Sequence, residues 1–264
     1  MSNYYLRCSQ IFVETYVKDS KTIIKDTFFT SPFKITSPFY DDKRNVMKLC
    51  IMNISPGMLQ GDIYTQHFKL NEGSKVYMFS QSFSKIFSME SDGFGEQRLK
   101  VNLKHNSSLE YYPLPTIPYK DSSYKGISEF YMEGDSHLIY REILSCGRYK
   151  MGESFSYKHF SSLVKVYYEN RLLLMDNTTL VPVLQDIQGF GFYEGYSHSA
   201  NVFVISSKVS SIYRDSLNEL LSSYENISFG ISLPSNKSII IRILANNSDI
   251  LCKITDEIRN RTPW

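Results

Sequence analysis

The sequence predicts a mainly β protein whose strands are wound into stacked, β-helix-like layers, with about two α-helices in the C-terminal third. Three observations predict it. Tyr occurs 20 times and Phe 17 times, whereas Ala appears only at Ala200 and Ala245; aromatic and β-branched side chains favour the pleated surface of a sheet, and Ala is the best helix former. Short runs of alternating polarity recur at about 8–12-residue spacing, each broken by turn residues. Finally, a similar polar turn returns at Asn71–Ser74, His105–Ser108 and Glu133–Ser136, a period of roughly 30 residues that suggests stacked layers. A sandwich of hairpins gives much the same pattern.

The elements follow in order. Lys75–Phe79 alternates after Asn71-Glu72-Gly73. Leu99–Leu103 alternates strictly and stops at His105-Asn106-Ser107-Ser108, where Leu109–Tyr112 resumes and ends at Pro113. Ile127–Met132 and His137–Tyr140 flank the Glu133–Ser136 turn, and Leu163–Tyr167 and Arg171–Met175 flank Glu169-Asn170. All read as strands. After Gln185 the character changes: Asp186–Ser199 is a Gly- and aromatic-rich loop, and Asn201–Ile205 and Ser238–Leu244 are strands. Val209, Ile212, Tyr213, Leu217, Leu220, Leu221 and Tyr224 share one helical face, and Ile250, Leu251, Ile254 and Ile258 mark a final helix capped by Asn247 or Ser248. No linker separates the two parts. We therefore expect one domain over 1–264, a β body over about 1–185 carrying a strand–helix–strand–helix portion over 186–264.

Composition removes several function classes. Hydrophobic residues are 42% of the 264, so a sizeable core is available, and 29 Lys+Arg against 27 Asp+Glu leave a net charge of +2. That balance, with no basic cluster, argues against nucleic acid and membrane as partners. Cys8, Cys50, Cys146 and Cys252 are far apart and form no zinc-type pair. With no secretory signal in view, reduced thiols and a cytoplasmic location are expected. The five histidines are scattered, and there is no phosphate-binding loop and no nucleophile elbow; Gly189-Phe190-Gly191 fits a dinucleotide fingerprint only in part. Little here suits an enzyme.

Three segments stand out. In Asn53–Asp62, Pro56-Gly57 sets a tight turn, Pro by presetting φ and Gly by accepting a positive one, and Gly61 bends the chain just before Asp62. Ser80–Phe87 places polar groups on a β-like run. Leu109–Tyr119 carries Pro113, Pro115 and Pro118, which exclude a central strand and leave an extended edge or turn.

Taken in order, Ser55-Pro56-Gly57 with Gly61-Asp62, Gln81 to Lys85, and Tyr112-Pro113-x-Pro115-Thr116-Ile117-Pro118 resemble successive signatures of the UreD/UreH family of urease accessory proteins. Glu142-Ile143-Leu144-x-x-Gly147-Arg148, Gly152-Glu153-x-Phe155 and Leu172-Leu173-Leu174-x-Asp176 extend the likeness over roughly Pro32 to Leu180. The family usually has Gly where this chain has Met58. The resemblance implies a non-enzymatic scaffold with a helix-like winding of strands. Such a scaffold binds UreF, recruits the GTPase UreG through it, and delivers nickel to the urease apoprotein, with a water-filled route through the subunit. No tightly bound cofactor is implied, only nickel in transit.

A transit route calls for weak, successive oxygen ligands. Asp62, Glu142 and Asp176 are the carboxylates within the matching segments, and His67 is a possible nitrogen ligand. The plainer alternative has Asp62 capping a turn, Glu142 and Asp176 paired with nearby cations, and His67 on a strand surface. Pro56, Gly57, Gly61, Pro113, Pro115, Gly147 and Arg148 read as structural, Arg148 pairing with Glu153 to shape a turn. Cys146 reads as a small buried hydrophobe. Phe190, Phe192, Tyr193 and the single Trp, Trp264, are candidate partner anchors. Two other functions compete: a carbohydrate-active β-solenoid enzyme working through a carboxylate pair such as Asp62 and Glu142, and a purely structural adaptor.

Overall fold

In the computed structural model, residues 8–90 and 92–262 are described. Eighteen strands and two α-helices follow in chain order: β1 (Cys8–Lys18), β2 (Lys21–Phe29), β3 (Phe33–Ile35), β4 (Phe39–Asp41), β5 (Val46–Asn53), β6 (Ile63–Leu70), β7 (Lys75–Ser80), β8 (Ser84–Ile86) and β9 (Gly95–Leu103). Then come β10 (Ser108–Tyr112), β11 (Thr116–Pro118), β12 (Ser123–Met132), β13 (His137–Ser145), β14 (His159–Tyr168), β15 (Arg171–Leu180), β16 (His198–Ile205), α1 (Ser211–Ser222), β17 (Ser228–Ser235), β18 (Ser238–Ala245) and α2 (Ser248–Arg261).

Parallel ladders decide between a solenoid and a sandwich. One sheet stacks β1, β6, β9, β12 and β14 in parallel, closed by antiparallel β2 and β15. The second stacks β5, β7, β10 and β13 in parallel and continues antiparallel through β16, β18 and β17. Short β8 and β11 pair on a third side. The chain is thus a β-solenoid of about four turns. Hairpins cannot give this pattern, because parallel partners need a crossover of a whole layer.

The recurring polar turns close each layer. Ser74 N–H bonds Asn71 O, Ser107 N–H bonds Lys104 O and Ser136 N–H bonds Glu133 O, the same turn three times. Between layers, Ser108 N–H reaches Ser74 O and His137 N–H reaches Ser107 O. The three serines are fully buried, small enough for successive turns to stack.

Two cores result. Between the sheets lie Phe68, Val101, Phe130 and Val166 against Leu49, Met78, Tyr111, Tyr140 and Phe203. On the outer side of the second sheet, Ile139, Val202, Val204, Ile239, Ile241 and Ile243 meet Leu217 and Leu221 of α1 and Leu251, Ile254 and Ile258 of α2. The stripe that continues to Tyr224 forms helix only to Ser222, from the N-cap Ser210, whose side chain accepts from Tyr213 N–H; Asn247 caps α2. Strand β17 was not expected. Its Gly230 and Pro234 mask it in the sequence, and Pro234 sits where the ladder with β18 shifts register, a place that an edge strand tolerates.

Two local expectations need correction. Gly57 does not adopt positive φ, although Gly61 does, at 81°. What excludes a side chain at Gly57 is space: a Cβ would stand 2.6 Å from the Phe87 ring and 2.8 Å from Lys85 O. The proline-rich segment also does form a strand, because β11 pairs with β8 and touches β13 at Thr116–Leu144. Pro113 and Pro115 precede it: Leu114 N–H is held by Ser80 Oγ, and Pro115 O accepts from Ser84 N–H.

Candidate functional site

Strand pleating sends alternate residues into the gap between the sheets. Two of the resulting rows are polar. On the first sheet Tyr64, Gln97, Gly126, Ser162 and Thr178 are consecutive cross-strand partners. On the second, Ile51 pairs with Ser80, and Glu142 pairs with Asn201 and Asn201 with Arg242. Both rows run across the strands, along the solenoid axis.

Between them lie two cavities of about 60 and 70 Å³, each with room for a few waters. The first is lined by Asn53, Ser55, Tyr64, Gln66, Ser80 and Lys85, the second by Tyr140, Glu142, Ser162, Thr178, Ser199 and Asn201. Ser84, Gln97 and Pro113 belong to both walls, so the cavities are in line. Gly126 leaves its place in the row without a side chain. A polar seam inside a core costs stability wherever a polar atom lacks a partner, and here bonds across the gap and along β13 fill that need. Tyr111 OH donates to Gln66 Oε1 at 2.9 Å; Ser162 Oγ and Tyr140 OH donate to Glu142 Oε1 at 2.8 and 2.9 Å.

Glu142 is partly buried on the wall of the second cavity, and burial pushes its carboxyl above the usual carboxylate range; the nearby Asp176 charge pushes the same way, against the two hydroxyl donors. Asp176 is buried on β15 and ion-paired with Arg242. Glu142 and Asp176 are therefore brought together, within electrostatic reach of each other. Asp62 is not in that group. Its carboxylate accepts from Leu59 N–H at 2.8 Å and Tyr64 OH at 3.2 Å, capping the Gly61 turn beside the first cavity. Asp62 is held by Leu59 and Tyr64, whereas Glu142 is held by Ser162 and Tyr140, so the two carboxylates have no hydrogen-bonding partner in common. His67 projects from the outer face of the first sheet, 2.9 Å from Asn102 Oδ1 and edge-on to Phe12. Among the described residues no three His, Cys, Asp or Glu side chains gather as a metal cage.

The remaining candidates divide by exposure. Phe190 is 97% exposed and Phe192 partly exposed; in the preceding loop Val183 and Leu184 are exposed too, at 85% and 80%. Tyr193 is buried, edge-on to Phe155 and bonded to Ser199, so it is core. Trp264 lies outside the described residues. Arg148 does pair with Glu153 and stacks over Tyr119, while Gly147 takes φ 134° between them and Ser145. Cys146 is buried and, like the other three cysteines, free. Sequence reasoning missed Gln97, Ser162, Thr178, Asn201 and Arg242. Polar residues at inward positions of alternating strands were the available signal; finding them needs the register between layers.

Comparison with known proteins identifies the family. Residues 9–262 match the model of a family described as UreD urease accessory protein. A urease accessory protein UreD of Acetivibrio thermocellus is 36% identical over 260 residues, covering 98% of this chain and 99% of that protein. A UreD of Flavobacterium johnsoniae is 32% identical over 92% of this chain and 88% of its own. A UreH of Helicobacter hepaticus is 30% identical over 91% and 92%. With a family match across nearly every residue and relatives at this level over nearly full length, the chain belongs to the UreD family of urease accessory proteins.

Proposed function

We propose that this protein is a non-enzymatic scaffold of urease maturation that binds UreF, recruits UreG through it, and passes nickel to the urease apoprotein along its internal polar seam. Membership of an accessory family supports the role in maturation. The observation that carries the finer reading is the pair of in-line cavities with Glu142 on the wall of the second. Hydroxyls, amides and one carboxylate are oxygen donors suited to weak, successive contacts with a hard or borderline cation, and none of them is poised to break a bond. Asp62 stands beside the first cavity through Tyr64, and Asp176 next to the second. His67, on the outer face, belongs to the route only if nickel approaches along the surface. The exposed Phe190, with Val183 and Leu184, offers an apolar anchor for a partner protein. No helix among the described residues is long and apolar enough to cross a membrane, and we place the work in the cytoplasm.

The test is co-expression with urease and the other accessory proteins. Ser162→Leu with Asn201→Leu, which fills the second cavity, should leave capture of UreF intact and lower the nickel content of purified urease. Normal nickel content with an intact complex would remove the route. Phe190→Ala should weaken recovery of the complex while leaving thermal unfolding unchanged; an unaffected complex would free that surface of the role.

A further inference from the structure

The seam runs out at one contact across the gap. On the second sheet, Glu142, Asn201 and Arg242 are consecutive partners over β13, β16 and β18. On the first, Thr178 lines the second cavity, and Asp176 lies two residues along the same face of β15. The Arg242 guanidinium spans the sheets and is salt-bridged to the Asp176 carboxylate. The two members are unequally placed: the Arg242 side chain is 54% exposed and that of Asp176 10%. The cation therefore sits outside and the anion beneath it, with Glu142 near enough to feel the Asp176 charge. The cross-strand partners of Arg242 are Asn201 and Gly230, neither of them charged, and Asp176 is its one acidic partner among the described ion pairs.

We propose that Arg242 is a latch on this end of the seam: a tethered cation that occupies Asp176, repels metal ions while seated, and swings into solvent when a divalent cation takes over the carboxylate. The idea rests on the reading of the seam as a nickel route. Its physical basis is the asymmetry of the pair. A buried carboxylate stripped of its counter-charge is costly, so Asp176 must keep some cation. Arg242 loses little on release, because its head is already half in water and its long stem can lie along the surface. Exchange of one cation for another at Asp176 is thus easy, whereas emptying it is not. While seated, the guanidinium adds an electrostatic barrier of the kind that excludes cations from pores.

Calorimetric titration of the full chain with nickel chloride tests this. Wild type should bind weakly. Arg242→Gln removes the competitor and should tighten binding at least about tenfold. Arg242→Lys, which keeps a cation in place, should remain near wild type, and Arg242→Gln with Asp176→Asn should lose the gain. Arg242→Met serves as a second neutral variant, and thermal unfolding of each confirms a folded chain. Unchanged nickel affinity in both neutral variants, or a gain that survives Asp176→Asn, would overturn the latch. The urease nickel content obtained with Glu142→Gln separates the two ideas. A lowered content together with unchanged Arg242→Gln affinity keeps the route and removes the latch. Normal content with tightened binding keeps the latch and removes the route.

Discussion

The Ser162 hydroxyl donates to Glu142 Oε1 at 2.8 Å across the space between the two sheets, tying β14 to β13 through the seam. The bond holds a carboxylate that its surroundings would rather see protonated. Burial is the first cause, the Asp176 charge adds to it, and Ser162 and Tyr140 oppose both. The folded-state pKa is therefore above the unfolded one. A group shifted that way favours the fold at low pH, and its contribution is lost as pH rises through the folded value.

Glu142→Gln keeps an oxygen that accepts from Ser162 and Tyr140 and removes the charge. We expect it to unfold at the same temperature as wild type or higher, the margin widening from pH 5 to pH 8. Scanning calorimetry across that range measures it. A variant that melts below wild type at pH 8 would show the charge to be compensated.

Acid should weaken the protein through histidines. His137 is held to Ser206 Oγ at 2.7 Å, and burial lowers its pKa from 6.5 to about 4, with Lys208 and Lys75 pressing the same way and Asp135 opposing. His198 is lowered too, again by burial first, with Asp249 opposing. Between pH 6.5 and 4 the unfolded chain takes up protons that the folded one refuses, so stability falls as pH drops through that window and is complete above it. His137→Gln should flatten the slope by on the order of 2 kcal/mol over the window. Urea midpoints at a series of pH values give the answer, and parallel curves for variant and wild type would refute it.

Arg141, one residue from Glu142, faces the other way. Its guanidinium is buried over the Tyr112 ring, donating to Thr255 Oγ1 at 2.9 Å and Pro113 O at 3.0 Å, with Asp256 3.7 Å away. It joins α2 to the second sheet and to the strand before the proline-rich segment. Arg141→Met should cost about 3 kcal/mol, because Thr255 and the carbonyls of Pro113 and Tyr112 lose their donor under the helix. Hydrogen exchange should show α2 opening before the solenoid does. Uniform protection in the variant would mean that Leu251, Ile254 and Ile258 suffice to hold the helix.

Arg141 and Glu142 also mark what was legible in advance. Alternation along β9, β12 and β14 and the stacked serine turns disclose strands and layers, because both are local patterns with a fixed period. The family motifs pointed to Glu142 and Asp176, which lie within electrostatic reach of each other. They could not reveal that Asn201 and Arg242, from β16 and β18, complete the same row. That depends on an antiparallel register set some 60 to 100 residues further along the chain, and a shift of one residue would turn both outward. Tyr193 and Phe190 look alike in sequence, yet one is core and the other bare, since only the packing of Phe155 against the loop distinguishes them.

Gly57 provides the last prediction, since its reason for being glycine changed. A Cβ there would sit 2.6 Å from the Phe87 ring and 2.8 Å from the Lys85 carbonyl, whereas at Gly191 (φ 81°) it would meet nothing within 4 Å. The two positions thus separate close approach from backbone strain. Gly191→Ala should cost about 1 kcal/mol through φ alone. Gly57→Ala should cost about 2–3 kcal/mol, because Met58 N–H is bonded to that same Lys85 carbonyl at 2.8 Å and the turn cannot yield freely. Adding Phe87→Leu removes the ring clash but not the carbonyl one, so it should recover only part of the loss. If Gly57→Ala with Phe87→Leu melts with wild type, the ring alone sets the constraint; if Gly57→Ala is itself silent, the approach of Lys85 to this turn is not what shapes the wall of the first cavity.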